Sequence, residues 1–264
     1  MKNTHSLSRV CRCTLLGTGL FLLVTGCASP PTSIADAYES KPRSAAEAYA
    51  NLGRQYLLQN SIDLALARLQ RAIHLDPDLP AAHHDLAVVY SKMGNLDAAD
   101  SEYLLALKLI PADPTTLYNY ATFLYNQGRY SDAETQLQML ISNSKADNRA
   151  QAYEALGLIA LKTNDSAKAE GYFGQSLRIA SNQPRALLEL AQLTLNEGRL
   201  SQARNYLQRY QDLARDTAEG LWLGIFLERA QGDERKVADY SQRLRVKFPD
   251  SPQARQLYAE RISH

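Results

Sequence analysis

Cysteine is scarce: 264 residues hold three, Cys11, Cys13 and Cys27. The first two lie in a stretch that reads as a removable leader, so the mature chain keeps one and a disulfide framework is excluded. An excess of one charge is lacking too, with 29 Lys+Arg against 28 Asp+Glu and a formal net charge of +1. Removing residues 1–26 takes away Lys2, Arg9 and Arg12 but no acid, leaving 26 basic against 28 acidic side chains and a formal charge of −2. That balance argues against nucleic acid as a partner, because such binding depends on many phosphate contacts. The apolar run Thr14–Val24 is too short to span a bilayer. No segment reads as a strand. There is no glycine-rich phosphate loop, no Ser/His/Asp context and no zinc-type cysteine pairing. His83-His84-Asp85 has metal-ligand residue types, but neighbours on a helix point about 100° apart and the two rings would not converge. No catalytic residue, metal site, cofactor or small-molecule substrate is therefore expected.

What the chain has is repetition. Asn60, Gly94, Gly128, Asn164, Gly198 and Gly232 follow one another at 34, 34, 36, 34 and 34 residues. Each is able to adopt a left-handed backbone, so the spacing marks one turn made six times. Seven residues before each turn stand Gly53, Ala87, Ala121, Gly157, Ala191 and Ile225, and five after stand Ala65, Ala99, Ala133, Ala169, Ala203 and Val237. Small residues at both places let two helices cross closely. Larger apolar residues keep step at intervals of three and four, as in Tyr49, Leu52, Gly53 and Tyr56, then Ala65, Leu69 and Ala72. Pro80, Pro114 and Pro184 stand at helix starts, where a missing N–H costs nothing. This is the tetratricopeptide (TPR) pattern. It predicts an all-α superhelical solenoid of about six helix-turn-helix repeats over residues 46–251, at about 46–79, 80–113, 114–149, 150–183, 184–217 and 218–251. Repeat three carries two extra residues near Ser144–Asn148. Repeat six departs from the pattern, since Gly224 and Ile225 exchange the usual order of large and small. A polar C-terminal helix within 252–264 is the expected cap.

The first 45 residues are of another kind. A basic, acid-free start, the short apolar run and Val24-Thr25-Gly26-Cys27 make residues 1–26 a signal peptide. The small residues before Cys27 resemble a bacterial lipobox, which implies cleavage before that cysteine and a covalent lipid on its sulfur. Ala28 and Ser29 follow, with no aspartate beside the cysteine. By resemblance to Gram-negative lipoproteins this favours the outer membrane, with the chain facing the periplasm. Residues 27–45, rich in Ser, Pro and Ala, read as a lipidated N-terminus and flexible tether. Acyl chains anchor at roughly 0.8 kcal/mol per buried methylene.

Such an array offers a surface for binding. Its inner groove is lined mainly by the first helix of each repeat. The residues at the lining positions are Arg54, Leu57 and Leu58 in repeat one, His84 and Val88 in repeat two, and Tyr118, Thr122 and Tyr125 in repeat three. Leu158 and Leu161, then Leu188, Gln192 and Leu195, then Trp222 and Phe226 continue the series. Leucines and aromatics at such positions suit a protein segment.

Several stretches are more particular than a TPR consensus. They are Asn119 to Tyr130 (NYATFLYNQGRY), Leu156 to Leu161 (LGLIAL), Tyr172-Phe173 through Ser176-Leu177-Arg178 to Asn182-Gln183-Pro184, Leu221 to Ile225 (LWLGI) and Phe248 to Ser251 (FPDS). Together with the lipobox and the six repeats, they resemble the PilF/PilW family of type IV pilus biogenesis lipoproteins. The resemblance implies a pilotin, a lipoprotein that binds subunits of the outer-membrane secretin and promotes their localisation and multimerisation. The alternative is a general periplasmic TPR lipoprotein adaptor for a peptidoglycan enzyme or the outer-membrane assembly machinery, with the same fold and anchor. Repeats and cap use nearly all of residues 45–264, leaving no room there for a catalytic domain.

Overall fold

Helical periodicity is written along nearly the whole repeat region, and the structure, a computed structural model, follows it. It describes residues 34–142 and 147–262, with side-chain surroundings for 43–142 and 147–259. The expected signal peptide, residues 1–26, and Cys27 lie outside these. Contacts divide the chain into units 1–40 and 41–264, and the first contributes only the opening turns of one helix to the described residues.

Among the described residues there are thirteen helices and no strand. They pair as α1 (Ile34–Leu58) with α2 (Ile62–Leu75), α3 (Pro80–Met93) with α4 (Leu96–Leu109), and α5 (Pro114–Asn126) with α6 (Tyr130–Ser142). Then come α7 (Arg149–Lys162) with α8 (Ser166–Ile179), α9 (Pro184–Asn196) with α10 (Leu200–Ala214), and α11 (Ala218–Gln231) with α12 (Glu234–Lys247), followed by α13 (Pro252–Ile262). In unit 41–264 each helix packs on its neighbours in sequence, α1 on α2 through one shared core cluster, so the array is a TPR solenoid of six hairpins and a terminal helix.

The turn inside each hairpin is built the same way six times. Its marker residue has positive φ, from 56° at Asn60 to 76° at Gly94. The next residue donates its N–H back to the carbonyl five residues earlier, from Ser61 to Tyr56 through to Asp233 to Glu228, at 2.8–3.0 Å. This Schellman closure satisfies the last carbonyls of the first helix. Asn95, Asp165 and Asp233 then cap the second helix, accepting from the N–H of Ala98, Lys168 and Lys236.

Between the two helices, a small residue faces a large one sixteen positions later. A Cβ on Gly53 would lie 2.7 Å from Leu69, and one on Gly157 would lie 2.6 Å from the Phe173 ring. Leu69 and Phe173 are fully buried, so neither has room to retreat. Repeat six keeps the crossing by exchanging volumes. Gly224 stands where other repeats place Leu or Tyr, and Ile225 where they place Gly or Ala. On α12 the fully matched place of Leu69 and Phe173 is taken by Ser241, while Tyr240 fills the space that Gly224 leaves, 2.8 Å from a Cβ there. α13 closes this end: Ala254 and Leu257 are buried in one cluster with Leu221, Ile225 and Leu244.

One feature differs from the expectation. A tether was expected over 27–45, yet the backbone is helical from Ile34. The stretch holds strong helix formers on both sides of Pro42, among them Ala35, Ala37, Glu39, Ala45 and Ala46. The passage from repeat five to six has an unusual backbone. Arg215 adopts φ 55° and ψ −143°, a region ordinarily left to glycine. Next to it Asp216 holds both Arg243 and Lys247 of α12.

Gly157→Ala is expected to lower the unfolding free energy by about 1–3 kcal/mol, because the new methyl meets a fully buried ring. Adding Phe173→Leu should recover most of the loss, since Ala121 with Leu137 and Ala191 with Leu207 occupy the same two places elsewhere. Urea denaturation followed by helical circular dichroism checks this, and an unchanged midpoint for the single variant would refute the close-contact account.

Candidate docking groove

The first helices of repeats one to three each bury one side against their own hairpin partner, which turns the opposite side to a common concavity. The structure brings Arg54, Leu57, Leu58, His84 and Val88 together around one groove of about 720 Å³, between α1, α3 and the start of α5. Tyr118, Thr122 and Tyr125 line the next cavity along, about 180 Å³, whose far wall is Ala155, Leu158 and Ile159 of α7.

The eight residues are not equivalent. Leu58 is 83 % exposed, whereas Leu57 is half-buried and packs on the first core cluster. Adjacent residues on a helix face about 100° apart, so only Leu58 is free to serve a partner without cost to the core. Val88, Tyr118 and Tyr125 are half-buried, each with part of its surface left in the groove. Thr122 is exposed, and its hydroxyl donates to the Tyr118 carbonyl at 2.9 Å.

A buried polar chain that residue types alone did not reveal forms the groove floor. Arg54 Nε donates to Asp85 Oδ2 at 2.8 Å, across one repeat. Asp85 is buried, and that burial pushes its carboxyl above the usual range despite the guanidinium. Asn119 Nδ2 donates to His84 Nε2 at 3.0 Å, so His84 carries its proton on Nδ1 and gives it to Thr116 Oγ1, also at 3.0 Å. The Thr116 hydroxyl in turn donates to Asp113 Oδ2 at 2.6 Å, and the same oxygen caps α5 through the Thr116 N–H. His84 is thus a fully partnered neutral ring, and burial holds its pKa below the ordinary value. Its neighbour His83 is the opposite case. Nδ1 meets Glu102 Oε2 at 2.6 Å and Nε2 meets the Pro77 carbonyl at 2.7 Å. Two acceptors demand two protons, and the hydrogen bond to Glu102 raises the pKa. The two histidines therefore turn to different partners, and among the described residues no cluster of three His, Cys, Asp or Glu forms a metal site.

The floor is hydrogen-bonded throughout, and Leu57, Leu58, Val88 and Ile110 make much of the wall apolar. Such an arrangement suits a segment of another chain, fitted by shape and apolar anchors.

Models described as TPR repeat or tetratricopeptide repeat match residues 53–94, 80–113, 118–184 and 160–221. The chain is 32 % identical to the type IV pilus assembly protein PilF of Pseudomonas aeruginosa over 247 residues, 94 % of this chain and 96 % of that protein. An uncharacterized Haemophilus influenzae protein is 29 % identical over 118 residues, 45 % of this chain and 66 % of its own length. Among solved structures, that of Pseudomonas aeruginosa pilF superimposes with a TM-score of 0.76 at 33 % identity, covering 83 % of this chain and 99 % of its own. The crystal structure of PilW, a widely conserved type IV pilus biogenesis factor, gives 0.72 at 23 % identity over 81 % of this chain and 98 % of its own, a likeness of fold.

The histidines give opposite pH signatures. Stability from His83 is present below its unfolded pKa of about 6.5 and is lost as pH rises through its raised folded value. Stability from neutral His84 is present above about 6.5 and is lost as pH falls toward its lowered folded value. His84→Gln should therefore cost more at about pH 8 than at about pH 5, and His83→Gln more at about pH 5. Urea midpoints at the two pH values decide; parallel losses would mean that the rings titrate normally.

Proposed function

The chain belongs to the PilF/PilW family of TPR proteins of type IV pilus biogenesis, and from that premise we propose that it acts as a pilotin for the secretin of the pilus. The end-to-end match to PilF, with both chains covered almost completely, carries the reading. In it, Cys27 is acylated after removal of residues 1–26 and holds the protein on the periplasmic face of the outer membrane. The groove over repeats one to three takes up a segment of a secretin subunit. Leu58 and the Tyr118–Tyr125 cavity serve as apolar anchors, and Arg54 and His84 fix orientation.

No bond need change for this to promote ring assembly. Captured subunits are confined to one surface, and confinement raises their effective concentration for one another, so that multimerisation proceeds at a lower total amount of secretin. A TPR array is suited to such a role because its function is the presentation of surface. The groove explains economically why its floor is a satisfied polar network: a partner meets a preformed shape and leaves no buried donor to be repaired.

Heat- and detergent-resistant secretin multimers in membranes are the readout. Deletion is expected to abolish them with monomer accumulating, and Leu58→Glu to reduce them while leaving the thermal unfolding of the purified protein unchanged. Cys27→Ser should leave the repeats folded and move the protein off the membrane, with multimers lost or misplaced. Unchanged multimers and normal pili in the deletion strain would overturn the pilotin reading and leave an adaptor for another envelope complex. A Cys27→Ser protein that still fractionates with outer membrane would overturn the lipid anchor alone.

A further inference from the structure

Repeats five and six carry a second concavity whose chemistry differs from that of the first groove. Leu188, Glu189 and Gln192 of α9, Glu219 and Trp222 of α11, and Gln253 of α13 surround a cavity of about 180 Å³. That is below the roughly 300–1,000 Å³ of small-molecule sites and on the scale of one long side chain. Trp222 is half-buried, with Phe226 set edge to face against it, ring centroids 4.9 Å apart. Arg229 already lies over the Phe226 ring at 5.7 Å, so a cation is part of this aromatic surface while the indole keeps its own exposed part on the cavity.

The charges are unbalanced. Glu189 accepts from Arg185 at 2.7 Å and is largely covered. Glu219 is exposed in the first turn of α11 and makes no ion pair among the described residues. Glu154 of α7 is close enough to Arg185 and Glu189 to feel both charges, and its Oε2 is buried without a partner. Arg185 thus serves Glu189 and lies near Glu154, while Glu219 is left unmatched on the cavity. In the first groove, by contrast, Arg54 is matched by Asp85, and Asp113 is occupied as a cap. An apolar wall at Leu188, an indole, the unmatched carboxylate of Glu219 and two side-chain amides together describe the receptor for a long cationic side chain. Its methylene stem lies on the leucine and its charged head meets indole and carboxylate.

We infer that the concave face of repeats five and six is a second docking surface, which takes a protein segment presenting Lys or Arg flanked by apolar residues. It is separate from the groove of repeats one to three and does not depend on what that groove binds. A partner engaging both surfaces would be held at two points along the array, with the gain in affinity that follows from linkage.

Trp222 is the chain's single tryptophan, so its emission reports this site alone. The probe is a capped peptide of four Lys-Leu units, titrated into the full mature chain at low salt, with a four-unit Glu-Leu peptide and tetra-N-acetylglucosamine as comparisons. A saturable emission change is expected with Lys-Leu only, weakened by added salt. Glu219→Lys should reduce the affinity about tenfold, Glu219→Gln by less, and Leu58→Glu should leave it unaltered. Absence of a saturable change, equal binding of the Glu-Leu peptide, saturation by the saccharide instead, or loss of binding in Leu58→Glu would each overturn the inference. Circular dichroism of the Glu219 variants distinguishes a lost site from a lost fold.

Discussion

Each hairpin depends on one steric condition: two helices cross so closely that one of them has room for no more than a hydrogen or a methyl. At Gly53 and Gly157 the partner side chain sits where a Cβ would be. This closeness brings the rest within reach. The hairpin turn must be short, hence the left-handed residue and its Schellman closure. The second helix must start at once, hence the Asn and Asp caps. Large side chains from both helices then meet behind the crossing and form core clusters that run from repeat to repeat.

Because one side of each first helix is committed to that crossing, the opposite side becomes a wall of the concavity. Binding surface is therefore a by-product of packing, repeated at one place per hairpin. What differs along the array is chemical: a balanced and satisfied polar floor under repeats one and two, tyrosines and leucines at repeats three and four, then indole and carboxylates at repeats five and six. The backbone supplies a scale, and the side chains at its marks give it direction. A segment bound with one polarity finds different neighbours from the same segment reversed.

The parts legible in the sequence are those governed by local rules. A left-handed turn must be met by the residue that occupies it, and all six marker residues have positive φ. Prolines mark helix starts because the cost of a missing N–H depends on position alone. The groove positions follow from helical phase, which places all eight expected residues along two adjoining cavities. What phase does not give is depth. Leu57 and Leu58 look alike in the sequence, yet one is half core and the other is 83 % exposed. Nor does it give pairings across a repeat. Arg54 with Asp85 and His84 with Thr116 are 31 and 32 residues apart, and nothing local marks them. Glu228, 2 % exposed and held by Arg204 and Lys236, reads in the sequence as an ordinary surface acid. Cys27 and the leader, the most specific signals at the N-terminus, lie outside the described residues.

The exchanged volumes of repeat six bear on how such a chain is inherited. With Ile225 on one helix and Ser241 on the other, neither helix suits the partner found in the remaining hairpins. A recombination crossover at the Gly232 turn would set a large side chain against Ile225, or a serine against an alanine. The first overfills the core and the second leaves a hole. Crossovers in the loops between hairpins keep each small residue with the large one it faces. For core volume, the unit that can be exchanged without loss is thus the whole hairpin.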